Sequence, residues 1–439
     1  MSVHIRRRPA RAWRAPFVAL ALCGAGVAPA RGQEPDPTPP AEDEEIRRLR
    51  QAAQEALDEE AGPAPADEGE RLRRAALAEA EESPLQQQLL AAYYSVANRL
   101  NTFNPRITVF GDVIGRLSAS SAELVEDGRN VDDRVSLAEA EIDLRADIDP
   151  YAKGVLILAF EEVGGGEYEA KVEEGYLTLE TLPLGFHAQI GRFRVPFGRV
   201  NRLHRHDLPQ TTRPYPLVDV FGEEGLIENG AILSWLAPLF PLELTAAFMN
   251  GENERLLAGT DSDDPSWLGR AEVFFQLGDQ TFLSLGHSYL FGYNDAPAPV
   301  DLPGRPSQET HLWGADALFK YQWNQFQSLV VQGEVFSLRR EVAGGREHAF
   351  GGYALVQVQP LQRWYLGLRY DWSNYDEGRE DAEQWAIGGW VSFYTTEFLR
   401  FRIGYEHRER TQDADLDTVY FQITFVFGSH PVEPFWFNR

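Results

Sequence analysis

Between Gly191 and Glu224 the chain reads GRFRVPFGRVNRLHRHD and ends DVFGEE, so Arg192, Arg194, Arg199, Arg202, Arg205 and Arg213 stand close to His204, His206, Asp207, Asp219, Glu223 and Glu224. Two kinds of chemistry suit such a set. Neutral imidazole and carboxylate are good zinc ligands, and His204-x-His206-Asp207 offers both. Two histidines two apart in a loop need not converge, however, and a third would have to come from elsewhere, so the sequence assigns no metal. Guanidinium and carboxylate groups along a loop can instead sort solutes by charge, if something holds that loop across a narrow, poorly screened, water-filled passage. No GxSxG elbow and no ordered Ser/His/Asp grouping is present. The expectation is a protein that is not an enzyme and carries no cofactor. Acidic clusters such as Glu161-Glu162 and Asp261 to Asp264 are accounted for by surface solvation.

The passage would be built from strands. From Asn104 onward the pattern has period two. Leu399, Phe401, Ile403 and Tyr405 interleave with Arg400, Arg402 and Glu406; Leu366, Leu368 and Tyr370 with Arg369 and Asp371; Ala140, Ile142 and Leu144 with Glu139, Glu141 and Asp143. Rows of charge on one face opposite large apolar groups suit a wet lumen and a lipid exterior. This makes Glu139, Glu141, Asp143, Arg369, Asp371, Arg400 and Arg402 candidate lumen-wall residues, acidic on one side and basic on the other.

Sixteen such segments are expected, at roughly 106–118, 134–148, 152–162, 168–181, 184–195, 225–236, 241–250, 267–277, 280–292, 310–322, 325–338, 347–359, 363–373, 384–394, 398–408 and 417–428. Their connections alternate between tight turns (Asp149-Pro150, Pro183, Gly278-Asp279, Asn324) and long polar loops. Outer-membrane barrels have this asymmetry, and a soluble sandwich has no reason for it. The fold class is therefore all-β, a 16-stranded antiparallel transmembrane β-barrel, with Trp235, Trp267, Trp364, Trp372, Trp385 and Tyr394 as girdle residues. Sixteen strands leave an aqueous channel, where eight would fill themselves. The third long loop, about Pro196 to Glu224, is the longest. Strict alternation from a lipid-facing Ile190 would turn Arg192 and Arg194 to lipid, so the expectation is either a β-bulge at Gly191, turning both arginines inward and Phe193 and Val195 outward, or a position of these residues already beyond the lipid.

Residues 1–30 read as an export signal: Arg6, Arg7, Arg8, Arg11 and Arg14, an apolar Ala15–Val27, then Ala28-Pro29-Ala30. Cys23, the single cysteine, lies inside it. Removing those five arginines from 41 basic and 67 acidic residues leaves 36 basic ones and a net charge of −31, which excludes a nucleic-acid partner. Residues 31–103 are Pro-rich, then acidic and helical in pattern, with Leu85, Leu89, Ala92, Tyr93, Val96 and Leu100 on one stripe, and suit a periplasmic segment. The barrel would occupy 104–428 and an extension, SHPVEPFWFNR, 429–439.

GRFRVPFG, at the end of the fifth strand and just before the long third loop, resembles the strand-end pattern of the phosphate-selective porin O and P family. The likeness implies a sixteen-strand trimer acting as a passive channel with an inward third loop, and places Arg192, Arg194 and Arg199 on the family's basic positions. Two features depart from that pattern: only Lys153, Lys171 and Lys320 could contribute to a lysine-rich anion path, and the chain continues past Phe427. The reading is an outer-membrane porin of a Gram-negative-type bacterium, its partners being outer-membrane lipid, small polar or charged solutes and further copies of itself. Its constriction would comprise Arg192, Arg194, Arg199, Arg202, His204, Arg205, His206, Asp207, Arg213, Glu223 and Glu224. The alternative is a receptor or attachment protein whose barrel is closed and whose loops or periplasmic helices bind the ligand.

Overall fold

The computed structural model describes residues 105–118, 124–126, 129–131, 135–164, 166–259, 264–295, 308–342, 345–374, 383–411 and 415–428. The chain divides into two compact units, 1–88 and 89–439, and every described residue belongs to the second. The expected export signal, the acidic helical segment and the C-terminal extension lie outside the described residues.

The alternating segments form sixteen strands: β1 (Arg106–Ser118), β2 (Val135–Asp149), β3 (Ala152–Gly164), β4 (Glu167–Leu179), β5 (Phe186–Arg194), β6 (Ile227–Leu236), β7 (Leu242–Met249) and β8 (Ser266–Gln276), followed by β9 (Thr281–Asn294), β10 (Gln308–Gln322), β11 (Ser328–Val342), β12 (Gly345–Leu361), β13 (Trp364–Ser373), β14 (Gln384–Thr396), β15 (Leu399–Arg410) and β16 (Leu416–Gly428). Each pairs antiparallel with its neighbours in sequence, and β1 pairs with β16 from Thr108↔Gly428 to Ser118↔Thr418, which closes the barrel. Closure matters because hydrocarbon offers an unpaired N–H or C=O no partner. One short hairpin, Leu124–Glu126 against Arg129–Val131, decorates the first long connection.

Side chains sort as a lipid-embedded barrel requires. Leu366, Leu368, Tyr370, Phe401, Ile403 and Tyr405 are exposed on the outside, while Arg369, Asp371, Arg400 and Arg402 between them are buried inside. Among the expected girdle residues, Trp267 and Trp364 are exposed. Tyr394 is not a girdle residue: it is 8% exposed and stacks edge-on with Tyr365, 5.1 Å between centroids. Its place follows from parity, since Ser392 and Trp390 on the same face of β14 are buried too.

Burial of so many inward charges shows that the bore is not a bare tube. The connection from β5 to β6 fills much of it. Its Phe197, Val200, Leu203, Leu208, Leu217, Val220 and Phe221 form one apolar cluster with inward wall residues including Leu290, Leu312 and Leu338.

Candidate pore constriction

Three residues before the loop leaves the wall, β5 passes through a glycine. Gly191 has φ +137°, and a Cβ there would lie 2.2 Å from the Gly175 carbonyl oxygen, so only glycine fits. The register through Gly191 is unbroken on both sides, with Tyr176↔Gly191 and Gly191↔Gly230. The expected bulge is absent there and lies instead on β4, where pairing steps from Ile157↔Glu174 to Leu158↔Val172 and leaves Glu173 as the extra residue. Phe193 and Val195, expected to face lipid, are fully buried in the loop's apolar cluster. The two arginines separate. Arg192 donates to the Val172 carbonyl (3.0 Å) and lies 3.5 Å from Glu252 in a long loop. Arg194 turns into the barrel, pairing with the bulged Glu173 and donating to the Glu224 carbonyl (2.6 Å).

From there the loop touches the wall almost all the way round. Glu334 on β11 accepts from the backbone N–H groups of Arg199 (3.0 Å) and Val200 (2.8 Å). The Arg199 guanidinium reaches Glu272 on β8 and Ser284 on β9. Short helical turns at Val200–Arg202 and Arg205–Asp207 then carry the chain past β2 and β4. There His204 lies among Glu141, Glu173 and Glu174, Arg205 is 3.5 Å from Glu139, and His206 stacks on Phe110 of β1 at 3.7 Å.

On the far wall, Arg402 donates to the Leu208 carbonyl and Arg369 to Thr212, both O and Oγ1. The Tyr215 N–H donates to Asp371, its hydroxyl to Glu406, and Arg408 covers its ring at 3.6 Å. Tyr215 opens a helix, α1 (Tyr215–Phe221), whose Asp219 accepts from Gln384 and lies 3.5 Å from Arg410.

The two arms of the loop are tied to each other. The Arg213 guanidinium donates to the carbonyls of Val200, Leu203 and Glu223, and Asn201 bridges the root by bonding both Val195 and Leu226. Phe197 packs edge-on against Phe221, 5.5 Å between centroids, and its ring occupies the space over Gly314. A Cβ on Gly314 would lie 2.5 Å from that ring. Gly314→Val is expected to unseat Phe197 at a cost of about 1–3 kcal/mol, lowering the temperature at which the folded band is lost on a heated gel series while the barrel still folds. A melting temperature indistinguishable from wild type would show that Phe197 does not seat the loop.

The loop divides the interior. Towards the short-turn mouth lies a cavity of about 450 Å³, lined by Arg145, Tyr176, Gln189, Ser234, Glu243 and Thr245 of the wall and by Arg194, Arg202, His204 and Asp207. Towards the long-loop mouth a smaller space of about 50 Å³ is bounded by Arg116, Glu139, Glu161 and Tyr420 of the wall and by Arg205, Arg213, Glu223 and Glu224. Arg194 and Glu173 stand at the waist: the arginine borders both spaces. Both signs of charge meet there. Burial opposes charge on His204, but Glu141 and Glu174 beside it outweigh burial and lift it to about 10. Arg205 is likewise disfavoured by burial and held above its ordinary range by Glu139, Glu161 and Glu223. Arg213 is lowered by burial and by the Arg194 and Arg205 guanidiniums.

The lumen-wall candidates Glu139, Glu141, Asp143, Arg369, Asp371, Arg400 and Arg402 are all buried inside the barrel. Most serve as anchors for the loop rather than as bare walls: Arg369, Asp371 and Arg402 bond it directly, while Arg400 bonds Thr424. Sequence reasoning missed Glu173, Glu174, Glu272, Glu334 and Asn201. It also missed the dry patch at Leu290, Leu312 and Leu338, whose signal is a lapse of alternation in Tyr289-Leu290-Phe291 and His311-Leu312-Trp313, as expected where both faces of a strand are covered.

No family model matches the chain. A protein of Aquifex aeolicus (strain VF5), described as uncharacterized, is 30% identical over 339 residues, covering 68% of this chain and 70% of that one. Among solved structures, the outer membrane channel DcaP of Acinetobacter baumannii matches with a TM-score of 0.50 at 11% identity, over 74% of this chain and 96% of that one. The anion-selective porin from Comamonas acidovorans matches with a TM-score of 0.49 at 12% identity, over 74% and 100%. At 11% identity the likeness to the DcaP channel establishes the fold.

Proposed function

This chain belongs to the same family as the Aquifex aeolicus protein and is an outer-membrane β-barrel of porin fold, and from that premise we propose that it is a porin passing small polar or charged solutes by diffusion, with the β5–β6 loop as its constriction. The observation that carries this reading is the loop's course: charged side chains of both signs are held inside a closed barrel, between a cavity at one mouth and a smaller space at the other. A solute crossing that waist meets Arg194, Arg205 and Arg213 beside Glu139, Glu173, Glu223 and Glu224. Mixed charge at close range favours small hydrated polar solutes over apolar ones and gives weak rather than strict ion preference. The finer reading of a phosphate-selective channel rests on GRFRVPFG alone, and the acidic groups at the waist argue for a broader solute range. The trimer follows from the same resemblance.

Reconstitution into planar bilayers tests the proposal. Stepwise current increments are expected, with a reversal potential under a salt gradient that departs only modestly from zero. The density of loop anchors favours one competing reading, a barrel sealed for ligand binding. A preparation that inserts but gives no current steps supports that reading and rejects diffusion.

A further inference from the structure

Where the loop meets β2 and β4, two groups of possible ligand atoms share Glu141: those of His204, Glu141 and Glu173 lie within 4.8 Å of one another, and so do those of His206, Glu141 and Glu139. His204 Nδ1 is 3.1 Å from Glu173 Oε2 and 3.2 Å from Glu141 Oε2, and His206 Nδ1 is 3.5 Å from that same Glu141 oxygen. In a tetrahedral zinc site with bonds of about 2.1 Å, the donors lie about 3.4 Å from one another. We propose that His204, Glu141 and Glu173, joined through the shared Glu141 oxygen by His206 after a small side-chain shift, form a binding site for a divalent transition-metal cation of zinc type, which staples the inward loop to the barrel wall.

Two further observations support the site. The other ring nitrogen of His204, Nε2, lies 2.8 Å from Glu174 Oε1. Metal-bound histidines are oriented in this way, the distal N–H donated to a carboxylate so that the proximal nitrogen presents its lone pair to the ion. With Nε2–H given to Glu174, a neutral His204 would aim that lone pair at two carboxylate oxygens, so a cation belongs at Nδ1. A proton there can be donated to one oxygen at a time, and Glu141 Oε2, buried at a side-chain exposure of 1%, accepts no hydrogen bond. A metal ion at Nδ1 would engage both carboxylate oxygens at once. The donor set also fits the ion: mixed imidazole and carboxylate suits zinc, whereas calcium and magnesium prefer six or more oxygens. Arg194 pairs with the other Glu173 oxygen, Oε1, and leaves Oε2 facing His204, while Arg205 stands by the neighbouring Glu139.

The site does not depend on whether the barrel conducts, so its test is metal binding. Untagged protein, folded in detergent and stripped with a chelator, is dialysed against rising zinc and the bound metal counted. About one saturable zinc per chain is expected. The zinc K-edge absorption spectrum of wild type should show four N/O donors at about 2.0–2.1 Å with the outer scattering of two imidazoles. His204→Gln with His206→Gln should lower bound zinc to background, and Glu174→Gln, which leaves all four donors in place, should weaken binding about 10–100-fold. No saturable zinc in wild type, a spectrum without imidazole scattering, or full binding by the double histidine variant would each overturn the proposal.

Discussion

Replacing Pro196–Gly225 by Asn-Gly should raise single-channel conductance several-fold while the barrel still assembles. The root of the loop makes the excision feasible. The Val195 N–H donates to the Leu226 carbonyl at 3.0 Å, so the two ends of the loop are already a paired antiparallel rung that a two-residue hairpin turn can close. Losing the loop uncovers Glu334, Asp371, Arg369 and Arg402, which now bond it. In a water-filled bore, hydration replaces those contacts, and the ladder that holds the barrel is untouched. Unchanged conductance in planar bilayers would mean that the loop does not set the narrowest section, and the function proposed for it would fall.

Arg369→Ala should be the most destabilising single change among the loop's anchors. The guanidinium is 2% exposed in its side chain and serves Asp371 (2.9 Å), Glu406 (3.1 Å) and both oxygens of Thr212. Truncation strands two buried carboxylates, and breaking one side of a buried ion pair costs about 3–5 kcal/mol. It also removes two of the bonds that hold Thr212, next to the Arg213 that ties the two arms of the loop, and leaves only the hydroxyl's bond to Glu406. The temperature at which the folded band disappears on an unheated-to-heated gel series should fall, and current noise should rise. Changing Asp371 to Leu and Glu406 to Gln in the same background should recover much of the loss, because removing a whole buried charge group costs less than unbalancing it. If the single variant melts like wild type, the charges are hydrated and the interior is wetter than its burial implies.

The strand plan was legible because a barrel wall imposes one rule on every residue: apolar to lipid, polar to the lumen, at period two. Phe401, Ile403 and Tyr405 against Arg400 and Arg402 announce it locally, without knowledge of the partner strand. Loop length likewise marked 196–224. The course of the loop was not legible, because it depends on pairs far apart in sequence, such as the backbone N–H groups of Arg199 and Val200 on Glu334, or Tyr215 on Asp371 and Glu406. The misplaced bulge has the same origin. Gly191 can bend without changing register, whereas the extra residue at Glu173 is visible only once β3 and β4 are aligned. The approach of His204 to Glu141 and Glu173, and of His206 to Glu141, was out of reach for the same reason, since it joins the loop to β2 and β4.

The seam between β1 and β16 sets the order of events in assembly. Gln422 hydrogen-bonds Asp112 across it, 310 residues away in the chain. Hairpins between neighbours in sequence can form early and cheaply, but this rung carries the full entropic cost of the longest closure in the molecule and must come last. Until the C-terminal ribbon is in place the half-built wall has two raw margins, each a template for aggregation. Damage to Leu416–Gly428 should therefore reduce the yield of finished protein more than it weakens the few barrels that do form.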